Sequence, residues 1–359
     1  FKIAVCEQME QPGPGKKLVR REVVRVITPG TATDLRVLEP KENNFLASVA
    51  RSREGSPIGL AYVDVSTGEF RTTEFAGASA EERLRDELQL LRPREILLPR
   101  QAALFTPGGS SRPDAAAGGF REGIETRLEE WIFGSEYGER MLTEQYGIKD
   151  VEGLGLAGHA QAVCAAGALL HYLHETSAKG EGRTATLGHL DSVRFYEQQD
   201  ALVLDPVTVR NLELVSPLFA EDASRGAHAG PTTLLAAIDG TVTSMGARLL
   251  RAWVLRPEIA RDEIEARLDA VSELKSHTML REEIRQNLRG VQDLERLASR
   301  ATLGVATPRD FVALRQSLAR IPLVRQFLSN CASPRLAALL QGIDELADVH
   351  ERLEKSVAE

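Results

Sequence analysis

Cysteine is scarce in this chain of 359 residues. Cys6, Cys164 and Cys331 are far apart and odd in number, which leaves no disulfide framework and no paired zinc motif; they read as reduced, buried thiols. No apolar run approaches the ~18 residues of a membrane span, and no signal peptide is visible, so the expected location is cytoplasmic. Net positive charge is also lacking. The formal charge of −8 argues against a chain-wide basic surface of the kind that drives nucleic-acid binding. A phosphate-binding P-loop is missing too: the Gly15-Lys16-Lys17 step lacks both the following hydroxyl and the earlier glycine. No fixed-period repeat suggests a solenoid. There is no initiator methionine at Phe1, and a helical pattern at the far end stops without a cap. Both ends therefore read as cut.

What is present has room for two or three domains. Ile3 to Cys6 and Val23 to Ile27 are strand candidates joined by a Gly/Pro/Lys loop from Gln11 to Lys17. From Asn43 the pattern turns to period two: Phe45, Ala47 and Val49 alternate, and Ile58 to Val65 is nearly continuously apolar. Ser66-Thr67-Gly68 turns the chain into a strand at Phe70. Ser79 and Glu82 have capping-box spacing before the helix stripe Leu84, Leu88 and Leu91, and Ile96-Leu97-Leu98 follows as a buried strand. Thr106 to Gly119 reads as a loop, and helices resume around Arg127 to Tyr146 and Ala160 to Glu175. The polar run Ser177 to Thr186 links to a second domain. There Val193 to Tyr196 and Ala201 to Leu204 suggest a short strand pair.

The remainder reads as helical and is organised around Leu204 to Pro257. Asp205 before Pro206 marks a helix start, Thr243 can cap a second helix, and Gly246 leaves room for a close backbone. Leu249, Leu250, Trp253 and Val254 supply an apolar face, and Pro257 forces the stop. Further stripes are Ile264, Leu268, Val271 and Leu274, then Ile284, Leu288, Val291 and Leu294. Thr307-Pro308-Arg309-Asp310 opens another helix, and a last one of ~25 residues, ~35 to 40 Å long, begins near Leu336. The central block presents no catalytic group and reads as a packing hub.

Its wording is nonetheless specific. Asp205, Thr208, Arg210, Asn211, Leu212 and Glu213 spell D-x-x-T-x-R-N-L-E. Thr243, Gly246, Arg248, Leu250, Arg251, Trp253, Leu255 and Pro257 spell T-x-x-G-x-R-x-L-R-x-W-x-L-x-P. In order and gap the two blocks closely resemble the core (lever) domain of the MutS family of DNA mismatch-repair proteins. The resemblance extends to Asp64-Val65-Ser66-Thr67-Gly68-Glu69-Phe70, a phrase typical of that family's connector domain, and to Ile3–Gln8 and Arg21–Thr31 at the exit of its mismatch-binding domain. It implies a multidomain α/β plus all-α chain: residues 1–27 as the end of the mismatch-binding domain, 28–186 as a ribonuclease-H-like connector, and 187–359 as the first part of a helical core. The whole protein would then be a dimeric ATPase using ATP and Mg²⁺. It would recognise mispaired or looped-out bases in double-stranded DNA and recruit MutL through the connector. This polypeptide would contribute mechanics, with no catalytic, cofactor-binding or metal residues of its own. The structural motif would be Asp205, Arg210, Asn211, Thr243, Gly246, Arg248, Trp253 and Pro257.

Other constellations carry competing chemistry. Phe195-Tyr196-Glu197 imitates the aromatic wedge with which MutS proteins read mismatches, but it lacks the preceding Gly-Asp and lies past the connector. Gly153-x-Gly155-x-x-Gly158 fits a dinucleotide fingerprint without the buried strand that should precede it. Cys164, His171, His174 and Glu175 lie at helical spacings like a zinc face with no second element. Asp64, with Glu69 and Glu95, could form the two-metal site of a ribonuclease-H-like nuclease, or Asp64 could simply cap a turn. A MutS-like homologue working in recombination is the remaining alternative.

Overall fold

A computed structural model describes residues 2–9, 19–52, 57–102, 104–105, 123–177, 179–180, 183–184, 187–218 and 232–357. The Gly15-Lys16-Lys17 step and the Thr106 to Gly119 stretch lie outside them. The chain divides into two compact units. One comprises Phe1–Glu39, Asn43–Glu197 and Thr302–Gly304; the other comprises Pro40–Glu42, Gln198–Ala301 and Val305–Glu359.

The first unit opens with an antiparallel pair, β1 (Ile3–Gln8) and β2 (Arg21–Ile27), with a register shift between Val5 and Cys6. Its main sheet comprises β3 (Leu46–Arg51), β4 (Ile58–Val63), β5 (Phe70–Phe75), β6 (Glu95–Pro99), β7 (Ile124–Leu128) and a two-residue strand, Arg194–Phe195. The last of these is β10, since the two-residue strands β8 (Lys179–Gly180) and β9 (Arg183–Thr184) pair with each other. The order across the sheet is β10-β5-β4-β3-β6-β7. β3, β4 and β5 run antiparallel as a meander, whereas β6 and β7 join β3 in parallel. Helix α1 (Ala80–Leu91) makes the crossover from β5 to β6, and α2 (Ser135–Tyr146) and α3 (Ala160–Thr176) follow β7.

The period-two pattern sorts the core into two layers. Ala47, Val49, Leu60, Tyr62, Ile96 and Leu98 pack with Leu84 and Leu88 of α1. Leu46, Ala50, Ala61, Val63 and Leu97 pack instead with Val163, Ala166, Leu169 and Leu170 of α3. Because both faces are covered there, β4 and β6 are buried along their whole length, whereas Arg71 and Glu74 of β5 and most of β7 reach solvent. Glycine sets the spacing of the second layer. A Cβ on Gly59 would stand 1.9 Å from the Gln161 carbonyl oxygen, and one on Gly167 would stand 2.3 Å from the Gly138 Cα where α2 crosses α3.

The second unit is helical. Its helices are α4 (Pro206–Asn211), α5 (Leu234–Ile238), α6 (Ser244–Leu255), α7 (Arg261–Ser276), α8 (Thr278–Arg289), α9 (Leu294–Thr302), α10 (Pro308–Leu318), α11 (Ile321–Leu328), α12 (Pro334–Gly342) and α13 (Ala347–Ser356). Its buried apolar cluster is small: Ala270, Ile284, Val324, Leu328 and Leu336, flanked by residues such as Leu274, Leu288 and Phe327.

Several sequence expectations are corrected. The terminal helix is two helices, because Asp344 accepts from the Leu346 N–H (2.9 Å) and Leu346 takes a left-handed φ of 49°. A local side-chain bond thus competes with the helix just after Gly342. Ala201 to Leu204 form no strand. Arg194–Phe195 pair instead with Arg71 and Thr72 of β5, a long-range contact that replaces the local hairpin. Arg127 lies in β7, not in a helix. The stripe Ile284 to Leu294 is divided between α8 and α9. Ser79 precedes α1 without a side-chain cap bond. Cys6 is exposed, and only Cys164 of the three thiols is buried.

Candidate functional site: the arginine hub of the helical unit

The two motif blocks fold as short, firmly capped helices. The Asp205 carboxylate accepts from the Thr208 N–H (2.9 Å) and hydroxyl (2.5 Å), with Pro206 in the first turn. Those bonds, the hydroxyl first, hold its pKa below the usual value. Helix α4 ends within two turns, and Glu213 takes a left-handed φ of 47°. The main chain at Glu213 and Leu214 then accepts from Leu234 and Leu235, while the Glu213 carboxylate accepts from the Leu218 N–H. Thr243 accepts from the Gly246 N–H (3.1 Å) and caps α6. A Cβ on Gly246 would sit 3.0 Å from that hydroxyl oxygen, so the glycine accommodates the cap and not, as expected, a neighbouring backbone. At the other end Pro257 stops the helix, and its carbonyl accepts from the Leu202 N–H.

Burial on α6 differs from expectation. Leu249 and Trp253 are exposed, the latter beneath the Arg267 guanidinium at 4.3 Å from the ring centroid. Ala247 and Arg248 are the buried residues of this helix. Arg248 donates to Asp293 through both terminal nitrogens (2.6 and 2.9 Å), to Glu295 (2.5 Å) and to the Pro40 carbonyl (2.9 Å). Burial works against its charge, but the Asp293 and Glu295 carboxylates more than offset that and hold its pKa above the ordinary range. Arg296, on α9, donates to the Glu42 carbonyl (2.7 Å) and lies 3.9 Å from Asp293. Of the remaining motif residues, Arg210 is half-buried and Asn211 exposed. The hub's other members, Asp293, Glu295, Arg296 and Pro40–Glu42, escaped sequence reasoning. The run Asp293-Leu294-Glu295-Arg296 was the available signal, but nothing local links it to a segment some 250 residues earlier.

The competing constellations have structural explanations. Asp64 is fully buried; one carboxylate oxygen accepts from the Ser66 N–H and hydroxyl, the other from the Asn44 N–H and the Asn43 amide. It is the cap of the Ser66–Gly68 turn. Glu69 pairs with Arg71 at 2.9 Å. Glu95 is a buried acceptor for Tyr172, Thr126 and the Gly30 N–H. Among the described residues no group of three or more His, Cys, Asp or Glu is arranged to hold a metal ion. His171 instead meets the Tyr137 hydroxyl at 2.6 Å, and burial pushes the Cys164 thiol up to about 11.

Gly155 and Gly158 take left-handed φ values in the turn before α3. The first free amides of that helix are already occupied by Glu74, which accepts from Gln161 and Ala162. A carboxylate of the protein stands where a phosphate would need to bind. Phe195 stacks on His159 (3.9 Å between centroids), and buried Tyr196 donates to Glu87, so neither ring projects as a wedge.

Comparison with known proteins matches the chain to three family models: MutS domain I over residues 1–36, MutS domain II over 44–191 and MutS domain III over 207–359. A curated DNA mismatch repair protein MutS from Solibacter usitatus (strain Ellin6076) is 48% identical over 349 residues, 97% of this chain and 38% of the relative. The protein of the same name from Symbiobacterium thermophilum is 41% identical over 360 residues, covering 100% of this chain and 39% of the relative. That of Alkaliphilus oremlandii (strain OhILAs) is 37% identical over 364 residues, 99% and 38% respectively. The chain spans about two fifths of the length of these relatives.

Proposed function

Because the chain belongs to the MutS family of DNA mismatch repair proteins, we propose that it is a transmission segment. It would couple the recognition of mispaired duplex DNA to an ATPase that its own residues do not supply. The observation that carries this reading is the hub itself: the family motif is spent on helix caps and on a buried arginine pairing system. Packed helices held by discrete, directional bonds switch between arrangements and do not deform continuously.

On this reading residues 1–27 close the mismatch-binding domain, 28–186 form the connector and 187–359 begin the helical core. Family matches at 1–36, 44–191 and 207–359 support this division. The connector is ribonuclease-H-like: an antiparallel meander extended in parallel at its first strand, β3, is the strand arrangement that favours that assignment. The connector would offer a surface to MutL, and the whole protein would act in the cytoplasm as a dimer using ATP and Mg²⁺. No helix among the described residues is long and apolar enough to cross a membrane. The turn-capping role of Asp64 gives the nuclease alternative no support.

The experiment is a binding comparison on paired and singly mispaired duplexes at fixed salt, with ATP turnover measured in parallel. The expected result is weak, salt-sensitive binding without mismatch preference, and no turnover. Turnover abolished by a substitution within residues 1–359 would overturn the reading.

A further inference from the structure

Pro40–Glu42 belong to the helical unit although they precede its helices by more than 150 residues. They fall between the stretch that matches MutS domain I (1–36) and the stretch that matches domain II (44–191). Two guanidinium groups grip them. Arg248 donates to the Pro40 carbonyl at 2.9 Å, and Arg296 donates to the Glu42 carbonyl at 2.7 Å. The side chains of Arg248 and Arg296 are 4% and 2% exposed. Two outer contacts are looser or wetter: Arg251 lies 3.7 Å from the Glu42 carboxylate, and Lys41, itself 61% exposed, pairs with Asp239 at 2.6 Å.

The two classes of contact differ in kind. Exposed ion pairs are screened and contribute little. A buried guanidinium aimed at a main-chain carbonyl reads the path of the backbone, because that carbonyl is present whatever the side chain. Arg248 cannot swing away freely, since its fork is fixed by Asp293 and Glu295.

We propose that Pro40–Glu42 is a strap, the junction between domains I and II gripped through its backbone by Arg248 and Arg296 of domain III. These two are positioning residues. A rearrangement of α6 or α9 must carry the strap along or release it, so the strap is where such a movement enters the junction. The inference rests on the transmission reading above, but its test involves neither DNA nor ATP.

The test is limited proteolysis of the whole chain by a Glu-specific protease, following cleavage after Glu42 in Arg296→Met, Arg296→Lys and Lys41→Ala. The expected result is cleavage at least tenfold faster in Arg296→Met than in the parent, with cleavage within α7 and α8 unchanged. Lys41→Ala should stay within twofold of the parent. Should Arg296→Met fail to fold, Arg296→Lys, which keeps the charge but loses the planar fork, is held to the same tenfold threshold. Parent and arginine variants cleaved alike, or Lys41→Ala released as fully as they are, would overturn the strap. A failure of the transmission reading alone would leave these ratios intact and appear only in coupling measurements.

Discussion

In the sheet unit, Leu60, Phe70, Leu97 and Leu169 are essentially sealed from water, and the buried carboxylates Asp64 and Glu95 serve as acceptors for backbone and hydroxyl groups. In the helical unit the roles are reversed. Leu268 and Val271 of α7 are 61% and 62% exposed, while two arginines are buried deeper than most of its leucines. One unit is held by apolar layers with polar groups as accessories. The other is specified by directional charge and caps, with much of its apolar surface left in water. Removing a partner from a buried ion pair leaves an uncompensated charge, so a hub of this kind defines one arrangement sharply even where its net contribution to stability is small.

Substitutions sharpen the contrast. Leu60→Ala should cost roughly 2–5 kcal/mol by denaturant titration, because it opens a cavity in a sealed layer. Leu268→Ala should stay within about 0.5 kcal/mol, as expected of a surface site. Equal effects would erase the difference between the units. Arg248→Met should cost roughly 3–5 kcal/mol, since Asp293 and Glu295 lose their shared partner. Thr243→Ala should cost about 1 kcal/mol, the usual loss for an N-cap.

Acid separates the units by the pH at which each weakens. Burial lowers the pKa of His189 and His174 in the sheet unit below 6.5. A histidine kept neutral in the fold contributes fully above its unfolded pKa and loses that contribution as pH falls from about 6.5 toward its folded value. The helical unit carries lowered carboxylates: Asp205 and Asp239, each held down first by a side-chain hydrogen bond, and Asp310, which its bonds from Thr307 and Arg300 depress against the opposing effect of burial. Their contribution is present above about 3.8 and is lost as pH falls below it. Near-neutral-to-acid titration followed by amide exchange should therefore loosen the turn around His189 before α4, α6 or α10. The reverse order would contradict the assignment.

The sequence was readable where local rules decide. Period two gave β3 and the apolar run gave β4, and the helix entry expected at Thr307-Pro308-Arg309-Asp310 forms, closed by a capping box between Thr307 and Asp310. The Ser66–Gly68 turn was equally clear, with Gly68 at φ 93°. Legibility failed where distant partners intervene. Arg194–Phe195 find β5 instead of a local hairpin, and the motif that contains Arg248 gave no sign of the partners Asp293, Glu295 and Pro40 that surround its guanidinium. Helical periodicity also overstated burial. Leu249, Trp253, Leu268 and Val271 keep the spacing of a packed stripe but lie on the surface, because period reports a face and not what covers it.

The central claim is that a buried arginine fork organises the helical unit. A double-mutant cycle on Arg248→Met and Asp293→Asn, read by denaturant titration, tests it most directly. Neighbours within one ion-pair network should show a coupling energy toward the upper end of roughly 0.5–3 kcal/mol, whereas additivity within about 0.3–0.5 kcal/mol would mean that the two side chains stabilise this unit independently and that the hub does not organise it.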